Sequence, residues 1–369
     1  MAEITKVDLE QLLNCALCPN LCRCDCPVLQ VSGREAVAPA GKARLAGLAY
    51  QGFMPWDEEM LEAVANCLGC RNCTILCPFP DLNLCDELLN ARIGEQGAKI
   101  KLPFWEPFLN NLKKYSSPYG RKERVASLKE NEKTNVEVIY YAGCTTLANN
   151  RAALEAAEAL LSRAGVNYTL IDEDCCGYPA ETWGDLSLAK QLASENSRKI
   201  AASGASKLVT GCPECWQTFS ERYPAWGYEL PLEIIDGPTY FLELLSEGRL
   251  EPLAEQPLEV SYHDPCIWAR TAEKVSEPRN ILNRIPGLKI FEPEHTGKET
   301  RCCGGGRMFQ LSFPETAAKV ASRRLTDFSE GKTIVTACPF CREGLLGPDH
   351  EVLELVELLA RVCLKQQEE

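Results

Sequence analysis

Cys175-Cys176-Gly177 and Cys302-Cys303-Gly304-Gly305-Gly306 are the stretches on which the reading of this chain turns. Each doublet stands between a lone upstream cysteine and a downstream Cys-Pro-x-Cys. The first set runs Cys144, 30 residues, Cys175-Cys176-Gly177, 34 residues, Cys212-Pro213-Glu214-Cys215. The second runs Cys266, 35 residues, Cys302-Cys303-Gly304, 33 residues, Cys338-Pro339-Phe340-Cys341. Adjacent cysteines seldom bond to each other, because a disulfide needs a wider Cα separation than neighbours give without strain. Five thiols recurring in one order read instead as ligands for a metal–sulfur cluster, with a dithiol/disulfide redox pair as the competing use.

The bulk composition fits that reading. The chain has 369 residues, enough for two or three domains. Its 21 cysteines and an opening Met1–Lys6 without an apolar run argue against a secreted disulfide scaffold, and a reducing, cytoplasmic setting is expected. No segment reaches bilayer-spanning length. A formal charge of −13 excludes the basic footprint that nucleic acid requires and favours basic protein partners.

Residues 1–98 contain two further cysteine runs. Cys67-x2-Cys70-x2-Cys73-x3-Cys77-Pro78 has the spacing of a bacterial ferredoxin half-site, in which the cysteine before proline ligates the other cluster. The partner run is Cys15-x2-Cys18-x3-Cys22-x3-Cys26-Pro27, irregular by one residue and carrying an extra Cys24. Crossover pairing then gives one 4Fe-4S cubane to Cys15, Cys18, Cys22 and Cys77, and another to Cys67, Cys70, Cys73 and Cys26. Cys24 competes with Cys22 for its place. Zinc is the alternative, but it takes four thiols per site and has no use for the trailing Cys-Pro. Helical periodicity over Lys42–Tyr50 and Asp57–Cys67, with no strand-like alternation, predicts an α-helical ferredoxin domain. Cys85 falls outside the pattern and reads as a buried thiol.

Residues 99–135 form a connector in which Lys99, Lys101, Lys113, Lys114, Arg121, Lys122, Arg124 and Lys129 interleave with Phe104, Trp105, Phe108 and Tyr115. An anionic membrane face or an acidic partner would suit it. The preferred expectation is a linker that packs its aromatics on the next domain and leaves its charges solvated, since Pro103 and Pro107 prevent a long amphipathic helix.

Residues 136–250 and 251–369 read as two copies of one domain, offset by about 125 residues. Strand-like runs precede the cysteines: Val136–Tyr141, Tyr168–Ile171 and Lys207–Thr210 in the first copy, and Glu259–Tyr262, Leu288–Phe291 and Thr333–Thr336 in the second. Helical segments such as Ala152–Arg163 and Leu186–Ala202 intervene. The expected fold class is α/β, each copy a parallel sheet gathering its thiols at the carboxyl edge. Pro213 and Pro339 suit the first turn of a helix. The tail, Glu351–Leu364, has the spacing of an amphipathic helix packed on the second copy, with Cys363 in its core face.

With these motifs together, the sequence resembles the iron–sulfur oxidoreductases that carry paired cysteine-rich CCG domains behind a two-cluster ferredoxin domain, most of all the heterodisulfide reductase D type. Cys67–Pro78, Gly211–Cys215, His263-Asp264-Pro265-Cys266, Cys302–Gly306 and Ala337–Cys341 carry the resemblance, which spans essentially the whole chain. It implies a non-cubane 4Fe-4S cluster on Cys144, Cys175, Cys176, Cys212 and Cys215, and another on Cys266, Cys302, Cys303, Cys338 and Cys341. It implies reduction of a small disulfide, or thiol oxidation in reverse, between them. The electron partner would be a flavoprotein or membrane cytochrome, with peripheral membrane association at the inner face arising through that partner. Related proteins serve flavin-dependent 2-hydroxy-acid and glycerol-3-phosphate dehydrogenases, so a purely electron-transferring role is the alternative.

Five more residues stand near ligands. His263 is a candidate proton donor to a leaving thiolate, or a loop-fixing histidine. Arg270 and Arg307 would offset cluster charge, hold a substrate carboxylate, or form surface salt bridges. Trp216 and Trp268 are expected to shield the clusters, and there is no nucleotide-binding glycine fingerprint.

Overall fold

The computed structural model describes residues 6–19, 21–79, 81–94, 97–120, 136–253, 258–328 and 333–364. The N-terminal unit is helical. Leu9–Leu17, Pro39–Tyr50, Glu58–Ala65 and Leu84–Ile93 pack on one another around Leu12, Ala43, Ala46, Val64, Leu84 and Leu88. Asp8 and Asp57 cap two of these helices through their carboxylates. No strand lies in this unit among the described residues.

Each copy beyond it is a four-stranded, all-parallel sheet. The first contains β1 (Val138–Tyr141), β2 (Tyr168–Thr169), β3 (Lys207–Thr210) and β4 (Glu233–Asp236), in the order β2-β1-β3-β4. The second contains β5 (Glu259–His263), β6 (Lys289–Phe291), β7 (Thr333–Thr336) and β8 (Val352–Glu354), in the order β6-β5-β7-β8. The two orders are the same arrangement counted from different strands. Parallel strands with helices on their faces read as short continuous β-branched and apolar runs, which is why Lys207–Thr210 and Thr333–Thr336 were legible.

Two differences from the sequence expectation concern the last strand of each sheet. β4 had no cysteine after it to draw attention. In the tail, Val352–Glu354 forms β8, and the helix starts only at Leu355. The break is set by Glu354, whose side chain and that of Glu357 form a reciprocal capping box. The helix Leu355–Cys363 also packs on Arg151–Arg163 of the first copy rather than chiefly on its own. Reciprocally, Gly237–Ser246 of the first copy packs on Ser276–Leu282 of the second. Leu154, Ala157, Leu358 and Val362 on one side, and Phe241, Leu244, Ile281 and Leu282 on the other, join one continuous core. Each such leucine contributes about 2 kcal/mol by leaving water.

The connector is more helical than its prolines suggested. Pro107 lies in the first turn of Glu106–Tyr115, where it starts a helix instead of breaking one. Trp105 and Phe108 are packed inward, while Phe104 stays exposed. Phe108 stacks on Trp183 at 5.3 Å, and the indole N–H groups of Trp105 and Trp183 both donate to Ser312 Oγ, at 3.1 and 3.0 Å. Lys101 and Lys113 reach Asp185. One hydroxyl thus ties the connector and both copies together. Arg121, Lys122, Arg124 and Lys129 lie outside the described residues.

Candidate metal centre

Both copies present their cysteines at the carboxyl ends of their strands. Cys144 follows β1, Cys175 and Cys176 follow β2, and Cys212 follows β3, with Pro213 opening the helix that carries Cys215. Cys266, Cys302, Cys303, Cys338 and Cys341 repeat the layout, with Pro339 opening the last helix. Gly304 (φ 91°) is required here, because a Cβ would lie 2.6 Å from the Ala317 carbonyl oxygen. A Cβ on Gly306 would run into the Leu68 carbonyl, so this glycine lets the second copy close on the N-terminal unit.

None of the 21 cysteines is in a disulfide. Within each set they are neighbours that act on one another electrostatically in one chain of the same order. In the first, Cys144 meets Cys175, Cys175 meets Cys176, Cys176 meets Cys215, and Cys215 meets Cys212. In the second, Cys266 meets Cys302, Cys302 meets Cys303, Cys303 meets Cys341 at 3.2 Å, and Cys341 meets Cys338. Burial pushes Cys176 up, but hydrogen bonds from Cys175 and Cys215 outweigh it and hold the thiol well below its usual range. Cys303 is held down in the same way, first by Cys302 and then by Cys341. Five soft donors in each set, four buried and one half-buried, exceed a tetrahedral zinc site and fit an iron–sulfur centre.

The two sets converge. Glu214, fully buried and 3.8 Å from Cys212 Sγ, feels both Cys303 and Cys176, and burial pushes it up to about 8. Cys338 feels Cys212 directly. Glu173, raised to about 8 by burial, accepts from the N–H groups of Ala142 and Gly143 at 3.0 and 2.7 Å and so fixes the Cys144 loop.

In the N-terminal unit, Cys15, Cys18, Cys22 and Cys77 line one cavity together with Cys73. Burial, then the neighbouring thiols of Cys22, Cys18 and Cys77, push Cys15 up to about 12. Cys24 is exposed and does not line that cavity. Cys26, Cys67, Cys70 and Cys73 gather deeper, each feeling others of the group. Cys70 is held at about 6, chiefly by a hydrogen bond from Cys302, so the inner N-terminal set adjoins the second CCG-type set.

Several residues take parts the sequence did not announce. Cys85 is not an isolated core thiol: it lies 3.9 Å from Cys73 Sγ and also bonds Cys67. Lys42 is buried, with Nζ on the Asn66 carbonyl at 2.8 Å. Among the described residues Arg270 and Arg307 make no salt bridges. Arg270 donates to the carbonyls of Cys70 at 2.6 Å and Lys298 at 2.8 Å, to Asn72 Oδ1 at 2.9 Å, and to the Thr300 carbonyl. Arg307 donates to the Cys85 carbonyl at 2.8 Å and lies 4.0 Å from Cys67 Sγ. Trp216 and Trp268 meet edge to face at 5.6 Å in the core shared by the two copies. His263 is buried, with its ligand atom and those of Cys303 and Cys341 all within 4.8 Å of one another. Burial and the Arg324 guanidinium hold it below its usual value, against the pull of Cys303.

A helical unit with two four-thiol groups, wired to a pair of converging five-thiol sites, defines an iron–sulfur electron-transfer protein. Residues 11–80 match the 4Fe-4S dicluster domain, and residues 138–220 and 260–345 each match the cysteine-rich CCG domain. The chain belongs to the CCG-domain iron–sulfur oxidoreductases. It is 28% identical over 397 residues to the D component of the dihydromethanophenazine:CoB–CoM heterodisulfide reductase of Methanosarcina acetivorans, covering 97% of this chain and 95% of that protein. It is 28% identical over 379 residues to the B component of the fumarate reductase (CoM/CoB) of Methanothermobacter marburgensis, covering 95% and 72%. It is 26% identical over 365 residues to the probable iron–sulfur-binding oxidoreductase FadF of Bacillus subtilis, covering 89% and 51%. The fold also matches a solved hypothetical protein from Helicobacter pylori, with a TM-score of 0.60, 12% identity, and coverage of 91% of this chain and 69% of that one. Among the described residues no helix is long and apolar enough to cross a membrane.

Proposed function

We propose that this chain is the disulfide-reducing component of an iron–sulfur oxidoreductase, or runs the reverse thiol oxidation. The observation that carries the reading is the completeness and convergence of the two five-thiol sets, with Cys212 and Cys338 within electrostatic reach of each other. Cleaving one S–S bond leaves two sulfurs to hold, and a paired site has two places for them. Similarity to the D component of heterodisulfide reductase over nearly the whole chain supports the same class of substrate.

Cys15, Cys18, Cys22 and Cys77 would hold one cubane, and Cys26, Cys67, Cys70 and Cys73 the other. The exposure of Cys24 favours Cys22 as the ligand. Each five-thiol set would hold a non-cubane 4Fe-4S cluster. Bound clusters supply one-electron transfer, which a two-electron disulfide cleavage needs twice. The protein's part is to bury the thiols, to fix their loops through Glu173 and Arg270, and to exclude water. A partner protein would exchange electrons at the N-terminal unit in the cytoplasm, and any membrane association would come through that partner.

The test uses the full chain reconstituted with iron and sulfide under argon. With an artificial one-electron donor it should turn over a low-molecular-weight disulfide, and it should show a thiol-dependent paramagnetic signal. Failure of both, with activity appearing only beside a flavoprotein dehydrogenase, would assign it the purely electron-transferring role.

A further inference from the structure

Lys42, Arg92, Arg270 and Arg307 are each less than a tenth exposed, and all surround the inner N-terminal thiol set. Among the described residues none of the four has a carboxylate within ion-pairing distance. The nearby acids are already engaged: Asp86 with Arg71 at 2.9 Å and Arg222 at 3.8 Å, and Glu181 with Arg222 at 3.5 Å. Among the described residues their oxygen partners are all neutral, namely the carbonyls of Asn66, Thr182, Cys70 and Cys85 and similar oxygens, and Arg307 also reaches Cys67 Sγ at 4.0 Å. Arg92 Nε and Nη2 and Arg307 Nε have no oxygen partner among the described residues. An uncompensated buried cation is costly, and four together need negative charge from somewhere.

The thiols of Cys26, Cys67, Cys70, Cys73 and Cys85 are the groups these cations face. Lys42 feels Cys26, Cys67, Cys73 and Cys85, and Arg307 feels Cys67 and Cys85. The outer set lacks this surrounding. Arg44, which reaches its helix, is exposed and donates to the Ala16 carbonyl at 2.8 Å.

We propose that Lys42, Arg92, Arg270 and Arg307 are redox-positioning residues. They make the inner set (Cys26, Cys67, Cys70, Cys73) the more easily reduced of the two N-terminal sites, so that electrons entering at the outer set settle beside Cys302. Fixed positive charge favours the more negative, reduced state of the centre a thiolate set holds, and each one-electron reduction adds one negative charge. This rests on the cluster reading above, and it supplies a direction that the cysteine spacing does not contain.

The experiment is a potentiometric titration of the reconstituted full chain, followed by electron paramagnetic resonance, for the native protein, Lys42→Met and Lys42→Arg. Two N-terminal potentials are expected. Lys42→Met should shift the higher one down by at least tenfold in its reduction equilibrium, about 59 mV for one electron. Lys42→Arg should restore it, and the lower potential should not move. Arg92→Met, scored the same way, serves if Lys42→Met does not accumulate. A second readout is thermal unfolding of the iron-free chain, where Arg92→Met should raise the midpoint by removing a buried charge that burial disfavours. Two centres indifferent to both variants, or shifting together, overturn this proposal alone. The absence of reducible centres in the N-terminal unit overturns the cluster reading as well.

Discussion

Arg324 donates its Nε–H to Nδ1 of His263 at 3.1 Å. A guanidinium has no lone pair to give, so Nδ1 is the unprotonated nitrogen and the imidazole proton sits on Nε2. Among the described residues Nε2 makes no hydrogen bond, and the ligand atoms of His263, Cys303 and Cys341 lie within 4.8 Å of one another. His263 is therefore a neutral imidazole fixed by Arg324, with its free N–H available beside the Cys303 and Cys341 thiols. Its pKa lies below the usual 6.5, so it is uncharged at neutral pH. Accordingly, His263→Ala should lower disulfide turnover by about tenfold, the scale of losing a partner behind a metal ligand. The pH–rate profile between pH 6 and 8 should keep its shape. A missing limb in that profile would restore the proton-donor role.

Arg270 should prove structural in a way that lysine cannot replace. Its fork meets four oxygens on two units, and charged hydrogen bonds contribute about 1.5–3 kcal/mol each before compensation. Arg270→Ala and Arg270→Lys should both destabilise the chain, by about 3 kcal/mol or more for Ala, in urea unfolding. Rescue by lysine would show that charge alone matters there.

Gly304 and Gly165 make a matched pair for the doublet loop. Both have positive φ, but a Cβ on Gly165 meets nothing within 4 Å while one on Gly304 strikes a backbone carbonyl. Gly165→Ala should cost about 1 kcal/mol, and Gly304→Ala clearly more, with loss of iron content. Equal costs would mean that the close approach to Ala317 is not a constraint.

Glu354 offers a pH test distant from the thiols. Burial raises its pKa to about 7, although Asn150 Nδ2 donates to it at 2.7 Å. A carboxyl that binds its proton more tightly folded than unfolded makes stability fall as pH rises, from about 4.5 to about 7. Glu354→Gln retains the cap and removes the charge, so it should gain on the order of 1 kcal/mol over the native chain across that window. Parallel melting curves from pH 5 to pH 8 would refute this.

The strands before the cysteines were legible because β-branched runs ending at a thiol are local signals, and Lys207–Thr210 and Thr333–Thr336 were read to the residue. β4 and β8 were not, since Glu233–Asp236 and Val352–Glu354 are short and the latter continues an apolar helical spacing. At the site, the cysteine sets could be grouped from spacing. What surrounds them could not. Lys42 lies in a small-residue helix, Pro39–Tyr50, that gives no hint of a metal, and Cys85 sits in no motif. Both acquire their parts through packing against residues far off in the chain. In the connector Trp105 and Phe108 pack on the neighbouring copies while Phe104 stays exposed, and Pro107 starts a ten-residue helix rather than lying inside a longer one.

The exchange of helices between the copies means that neither half owns a complete core. Arg151–Arg163 lacks its cover without Leu355–Cys363, and Ser276–Leu282 lacks its cover without Gly237–Ser246. The chain is thus built like a dimer whose two halves were joined end to end. Its two five-thiol sites should melt or survive together, and either half made alone would seek a second copy of itself.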